Sequence, residues 1–94
     1  MDSYSELIKN GISKSGHSLS QITKLLKQMD VQVNRGYISK LQNSKSAPAS
    51  DKVNDALAYV LKIDPIELKA AAYREKIPAE VLKILQQDRQ AQPA

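Results

Sequence analysis

Apolar residues recur at helical spacing along most of the chain, and each run is bounded by helix-start or helix-stop chemistry. Tyr4, Leu7, Ile8 and Ile12 follow the capping box Ser3-Tyr4-Ser5-Glu6, and Ser15-Gly16 stops that run. A second capping box, Ser18-Leu19-Ser20-Gln21, opens the clearest stripe: Leu19, Ile22, Leu25, Leu26 and Met29 on one side, with Lys24, Lys27 and Gln28 on the other. Asp30-Val31-Gln32-Val33-Asn34 alternates like a short strand, but no second strand pattern exists to pair with it, so it reads as a connection. Asn34 is a good N-cap, and Val33 with Ile38 can form a hydrophobic staple, which starts a third helix at Arg35 and carries it to about Ser44.

The breaker-rich stretch from Ser44 to Ser50 leads to a fourth helix with Val53, Ala56, Leu57, Val60 and Leu61 inward. Asp64-Pro65-Ile66-Glu67 sets an N-cap, a first-turn proline and an N3 glutamate in register for a fifth, running to Tyr73. Pro78 restarts the chain for a short amphipathic piece containing Val81, Leu82 and Leu85. The expectation is an all-α protein. A compact five-helix domain occupies residues 1–76, an additional short C-terminal helix 77–86, and a flexible tail or linker 87–94.

Composition narrows the picture without changing it. The 94 residues suit one core, built from Leu, Ile, Val, Ala and four tyrosines because Phe and Trp are absent. Such a core leaves little room for a deep substrate cavity. No apolar window approaches a membrane span and the N-terminus lacks signal-peptide order, so a soluble, cytoplasmic protein without a membrane partner is expected. With no cysteine and one histidine, His17, neither a metal site nor another cofactor is expected.

The net charge of +4 matters through its placement. Residues 17–47 carry Lys24, Lys27, Arg35, Lys40 and Lys45 against Asp30 alone, whereas the segments 1–16, 48–64 and 65–94 come to zero, −1 and +1. The whole excess falls on the second and third helices, as one face meeting a polyanion requires, although a solvated lysine face has the same signature. The third helix buries only Ile38 and Leu41 and leaves a polar, cationic face. A helix fits the major groove of B-DNA, where Arg and Lys reach guanine, Asn and Gln pair with adenine, and Ser adapts to either. Because the N-terminal part of such a helix meets base edges, Arg35, Gly36, Tyr37, Ser39 and Lys40 are the base-contact candidates. Gly36 enters for close backbone approach, and Tyr37 either stacks on DNA or packs its ring against the core. Asn43 and Lys45 are better placed for phosphate. So are Ser20 and Gln21 at the amide end of the second helix, and Asn34 in the connection.

At these residues the chain resembles the lambda-repressor/Cro-like, or XRE, family of helix-turn-helix regulators. Leu19-Ser20-Gln21 is similar to the family's opening of helix 2, the run from Tyr37 to Lys45 to its recognition helix and exit, and Ile63-Asp64-Pro65-Ile66-Glu67-Leu68 to its helix 4 to helix 5 junction. The resemblance covers residues 4 to 73. It implies a five-helix lambda-repressor-like domain that binds palindromic operator DNA as a dimer and regulates transcription, as a repressor ahead of an activator. It also implies that Gln21 braces the DNA backbone and that Arg35, Gly36, Ser39 and Lys40 face the groove. Two features depart from the family: a longer stretch between Gln21 and Ile38, and no small alanine where helices 2 and 3 cross.

An apolar stripe after a closed five-helix core needs a partner, which makes Tyr73, Ile77, Val81, Leu82 and Leu85 the homodimerisation candidates. The rival function is a protein-interaction module, an antirepressor or antitoxin-like partner acting through its C-terminal helices on another protein. An enzyme is not expected, since no nucleophile-base pair, metal cluster or phosphate loop is present. His17 reads as a surface residue, Asp51 and Asp55 as helix-flanking carboxylates rather than an acid/base pair, and Tyr59 with Tyr73 as core or interface.

Overall fold

Four side chains set the helix starts. Ser3, Ser18, Asn34 and Asp64 each accept a hydrogen bond from a backbone N–H in the first turn that follows, at 3.3 Å from Glu6, 3.2 Å from Gln21, 2.7 Å from Tyr37 and 2.8 Å from Ile66. Each satisfies a donor the helix would otherwise leave unpaired, for about 1 kcal/mol apiece. In the computed structural model, which describes residues 2–91, the result is all-helical, with no strand among those residues. The elements are α1 (Tyr4–Ser15), α2 (Leu19–Gln28), α3 (Arg35–Gln42), α4 (Asp51–Leu61), α5 (Pro65–Lys76) and α6 (Ala79–Ala91). None of these is long and apolar enough to cross a membrane.

One core joins the first five helices. Ile8 from α1, Ile22 and Leu26 from α2, Ile38 from α3, Leu57 from α4 and Leu68 from α5 are all completely buried. α1 lies against α3, α4 and α5, while α2 packs on α3 and α4. Gly11 lets α1 approach the α4–α5 junction closely: a Cβ there would stand 3.1 Å from Leu61 Cβ and 2.8 Å from Ile63 Cδ1. A buried polar knot ties the same helices together. The Tyr4 hydroxyl donates to Asn54 Oδ1, Asn54 Nδ2 donates to the Ala49 carbonyl at 3.0 Å, and the Ala49 N–H donates back to the Tyr4 oxygen at 3.3 Å. Asn54 is only 1% exposed yet both of its side-chain polar atoms have a partner, so the knot anchors the loop after α3 to α1 and α4.

The helix ends depart from expectation. α3 stops at Gln42 rather than Ser44, because Ser44 adopts a left-handed conformation with φ 57° and Lys45 N–H returns to the Lys40 carbonyl at 2.8 Å. α2 ends the same way: Asp30 takes φ 62°, and the N–H groups of Asp30 and Val31 bond to the Lys27 and Leu26 carbonyls at 3.0 and 2.9 Å. This is a Schellman motif with aspartate where glycine is usual, and Val31 is buried against the core it closes. The stretch from Asp30 to Asn34 is therefore a connection, pinned at Val31. Met29, placed on the apolar stripe by its spacing, is 38% exposed because α2 has already ended at that point.

α5 continues past Tyr73 to Lys76, and α6 begins at Ala79 and runs to Ala91, through residues expected to be tail. The remainder of that tail, 92–94, lies outside the described residues. α6 packs on none of the other helices to the extent that they pack on one another, and the molecule is elongated, at 48 × 25 × 23 Å. Tyr59, expected in core or interface, is not core: it stands 77% exposed on the outer side of α4.

Candidate nucleic-acid interface

α3 is short and its two faces differ sharply. Ile38 and Leu41 are buried to within 1% and fix the helix to the core, which turns Arg35, Gly36 and Lys40 outward as exposed residues and leaves Ser39 half-buried between them. Tyr37 is also half-buried, with part of its side chain packed against the core. Gly36 is exposed, and a Cβ there would crowd the capping Asn34 Oδ1 at 3.3 Å.

The start of α2 lies beside the start of α3. Arg35 Nη1 donates to Ser20 Oγ at 3.4 Å, and a shallow cleft lined by Ser18, Ser20, Arg35, Gly36 and Ser39 runs between the two helix ends. Gln21 is partly committed: its Oε1 accepts from Ser18 N–H at 2.8 Å, completing a reciprocal capping box and leaving its NH₂ as a donor. Asn34 is similarly committed through Oδ1 to Tyr37 N–H, which leaves only its NH₂ as a donor.

Asn43 is exposed and turned back on its own helix. Its Nδ2 donates to the Ser39 carbonyl at 2.8 Å and lies 3.4 Å from Ser39 Oγ, so the side chain folds back to close α3. Lys45 is exposed just beyond, in a turn braced by Ser44 Oγ donating to Ser5 Oγ at 2.7 Å. Arg35 thus stands beside the α2 N-terminus, while Lys40 and Lys45 are exposed in and just after the last turn of α3. No carboxylate pairs with them among the described residues, where the ion pairs are Lys52–Asp30 and Lys69–Asp55.

The dimerisation candidates do not form one stripe. Tyr73 is 46% exposed but tied to its own chain, its hydroxyl donating to Asp51 Oδ2 at 2.7 Å and its ring lying 5.3 Å from Lys76 Nζ. Asp51 and Asp55 hold α5 rather than one another, since Asp55 pairs with Lys69 at 2.9 Å. Leu82 is half-buried beside Tyr4 and Ala71, and Ile77 is half-buried at the end of α5. Val81 and Leu85 remain outward at 46% and 52% exposure, joined by Ile84 at 57%. Ile84 is not among the sequence candidates, although it lies three residues after Val81 and next to Leu85, on the same face of α6. Among the described residues no group of His, Cys, Asp and Glu is arranged to hold a metal ion.

No protein-family model, curated protein or solved structure matches the chain.

Proposed function

We propose that the chain is a sequence-specific double-stranded DNA-binding regulator of the lambda-repressor/Cro-like kind, a repressor that reads a palindromic operator as a homodimer. The carrying observation is α3. Two buried residues lock it to the core while Arg35, Gly36 and Lys40 stand exposed, Arg35 and Gly36 beside the amide end of α2, with the positive excess of the chain concentrated on these two helices. In the major groove Arg35 and Lys40 are the guanine-reading groups, Ser39 an adaptable one, and the α2 N-terminus with Ser20 and the Gln21 amide takes a phosphate. The five helices α1 to α5 are the domain, and the exposed side of α6 pairs two copies so that their α3 helices lie about one DNA turn, ~34 Å, apart.

The test is a binding titration against genomic fragments followed by footprinting, with the Arg35→Ala, Lys40→Ala double variant beside the unaltered protein. Each lost bidentate contact is worth about 1–3 kcal/mol of base discrimination, so the variant should lose preference for its site by at least about tenfold while retaining weak binding to any duplex. Equal, sequence-blind binding by both proteins rules out α3 as the reading helix.

A second reading, a protein-interaction module, draws on the exposed Tyr59 and Ile66, at 77% and 71%, beside an apolar hollow containing Leu25, Val60 and Ile63. It leaves the charge concentration on α2 and α3 without a purpose. Failure of the DNA titration would bring it forward.

A further inference from the structure

A second hollow lies apart from the cleft at the helix starts. It lies on the flank of the α2–α3 pair, with Lys24 and Lys27 on its α2 side, the connection residues Gln32 to Asn34 along its rim, and the first turn of α4 opposite. Lys24 and Lys27 are three residues apart, share one face of α2, are exposed, and take part in no ion pair among the described residues. No carboxylate lines the hollow. Asp30 is turned to Lys52 and Asp51 to the Tyr73 hydroxyl, both outside it. The floor is apolar: Val33, Tyr37 and Val53 are half-buried there and packed on the core. Ser50 adds a further feature, since it occupies the N-cap position of α4 yet its side chain caps nothing, unlike those of Ser3, Ser18, Asn34 and Asp64.

Two cations above a floor of methyl groups and an aromatic edge match one ligand chemistry well, a phosphodiester whose charged oxygens meet the ammonium groups while its deoxyribose lies on the apolar floor. We infer that this hollow is a second backbone-binding site that holds a stretch of DNA sugar-phosphate beside the one whose groove α3 enters, with Lys24 and Lys27 as its phosphate contacts. The inference rests on the DNA-binding reading above. Several groups at the site come together through the departure from the family pattern: the lengthened connection supplies Gln32, Val33 and Asn34, which form its edge. Contacts of this kind position a protein and raise its affinity without reading sequence.

The experiment measures affinity for a specific and a random duplex across a salt series, for the full chain and two double variants. Lys24→Ala with Lys27→Ala removes the proposed contacts; Lys9→Ala with Lys14→Ala removes the same charge from exposed positions of α1. Loss of two phosphate contacts should flatten the slope of log K against log salt by about 1.8 and weaken both duplexes by the same factor, leaving specificity unchanged. The α1 variant should keep the full slope. Ser50→Asp supplies an independent arm: a carboxylate at this N-cap should raise thermal stability while weakening DNA binding, because it occupies the place of the phosphate. Equal slopes for the Lys24, Lys27 variant and the α1 control overturn this site and leave α3 untouched. Selective loss of an acidic peptide partner with DNA binding intact also overturns it. Absence of duplex binding by the unaltered protein brings down the DNA-binding reading itself.

Discussion

At the scale of single residues, Tyr4 shows most clearly how this protein joins distant parts of its chain. Its hydroxyl is buried with Asn54 and Ala49, and burial pushes its pKa from 10.0 up to about 12, against the smaller lowering effect of the Ala49 N–H. The folded state therefore holds this proton more tightly than the unfolded state. The associated stability is complete below pH 10 and is lost between pH 10 and about 12, at up to about 1.4 kcal/mol per pH unit. Denaturant titrations of Tyr4→Phe and the unaltered chain over that range should show the steeper decline only in the latter. Below pH 10 the variant should be weaker by about 1–3 kcal/mol, because Asn54 Oδ1 is left buried without its donor. Parallel pH profiles would show that the Tyr4 proton is not coupled to folding. None of this is visible in sequence, where Tyr4 reads only as the first apolar position of a helix and Asn54 as a polar residue within another.

At the scale of helices, starts were legible and stops were not, for a physical reason. An N-cap is local chemistry: Ser18, Asn34 and Asp64 announce α2, α3 and α5 because the side chain bonds to a backbone N–H no more than three residues on. A C-terminal stop is a backbone conformation, and glycine marks it only at Gly16, with φ 73°. Asp30, Ser44 and Lys62 adopt the same left-handed state with φ between 56° and 62°, so no residue type betrayed those ends. The candidate groove face was legible for a related reason, since Ile38 and Leu41 alone determine which way α3 turns. The flank hollow was not, because it needs the start of α4 beside α2, a contact that no local pattern encodes. The strained ends carry a prediction. Asp30 bears both a left-handed backbone and a carboxylate at the negative end of the α2 dipole, and its pair with Lys52, at 3.9 Å and well exposed, offsets little. Asp30→Gly should raise stability by about 0.5–1 kcal/mol after the greater freedom of glycine in the unfolded chain is counted, read as a higher urea midpoint at unchanged slope. A lower midpoint would mean that Asp30 contributes more through its side chain than its backbone costs.

At the scale of the molecule, the first five helices already close a core, and α6 is what remains unexplained by it. Helix α6 carries Val81, Ile84 and Leu85 outward, about half exposed, and among its described side chains, 79–86, sends only Leu82 toward the body. A helix so little supported by its own chain gains most by burying that face on a second copy, because an isolated helix of 13 residues is marginal in water. Within α6, Val81, Ile84 and Leu85 stand at i, i+3 and i+4 on one face, the face on which the proposed dimer pairs two such helices about a twofold axis. The consequence can be measured by sedimentation equilibrium. The full chain should have twice the mass of one protomer and should dissociate when Ile84 is replaced by Lys, which places a charge in the seam without touching the five-helix core. The Ile84→Lys monomer should keep its circular dichroism for α1 to α5 and its contact with a single half-site, but lose the affinity gained by holding two half-sites at once. A variant that stays dimeric removes α6 from the interface and shifts attention to the exposed Tyr59 and Ile66, the other apolar surface this chain leaves open.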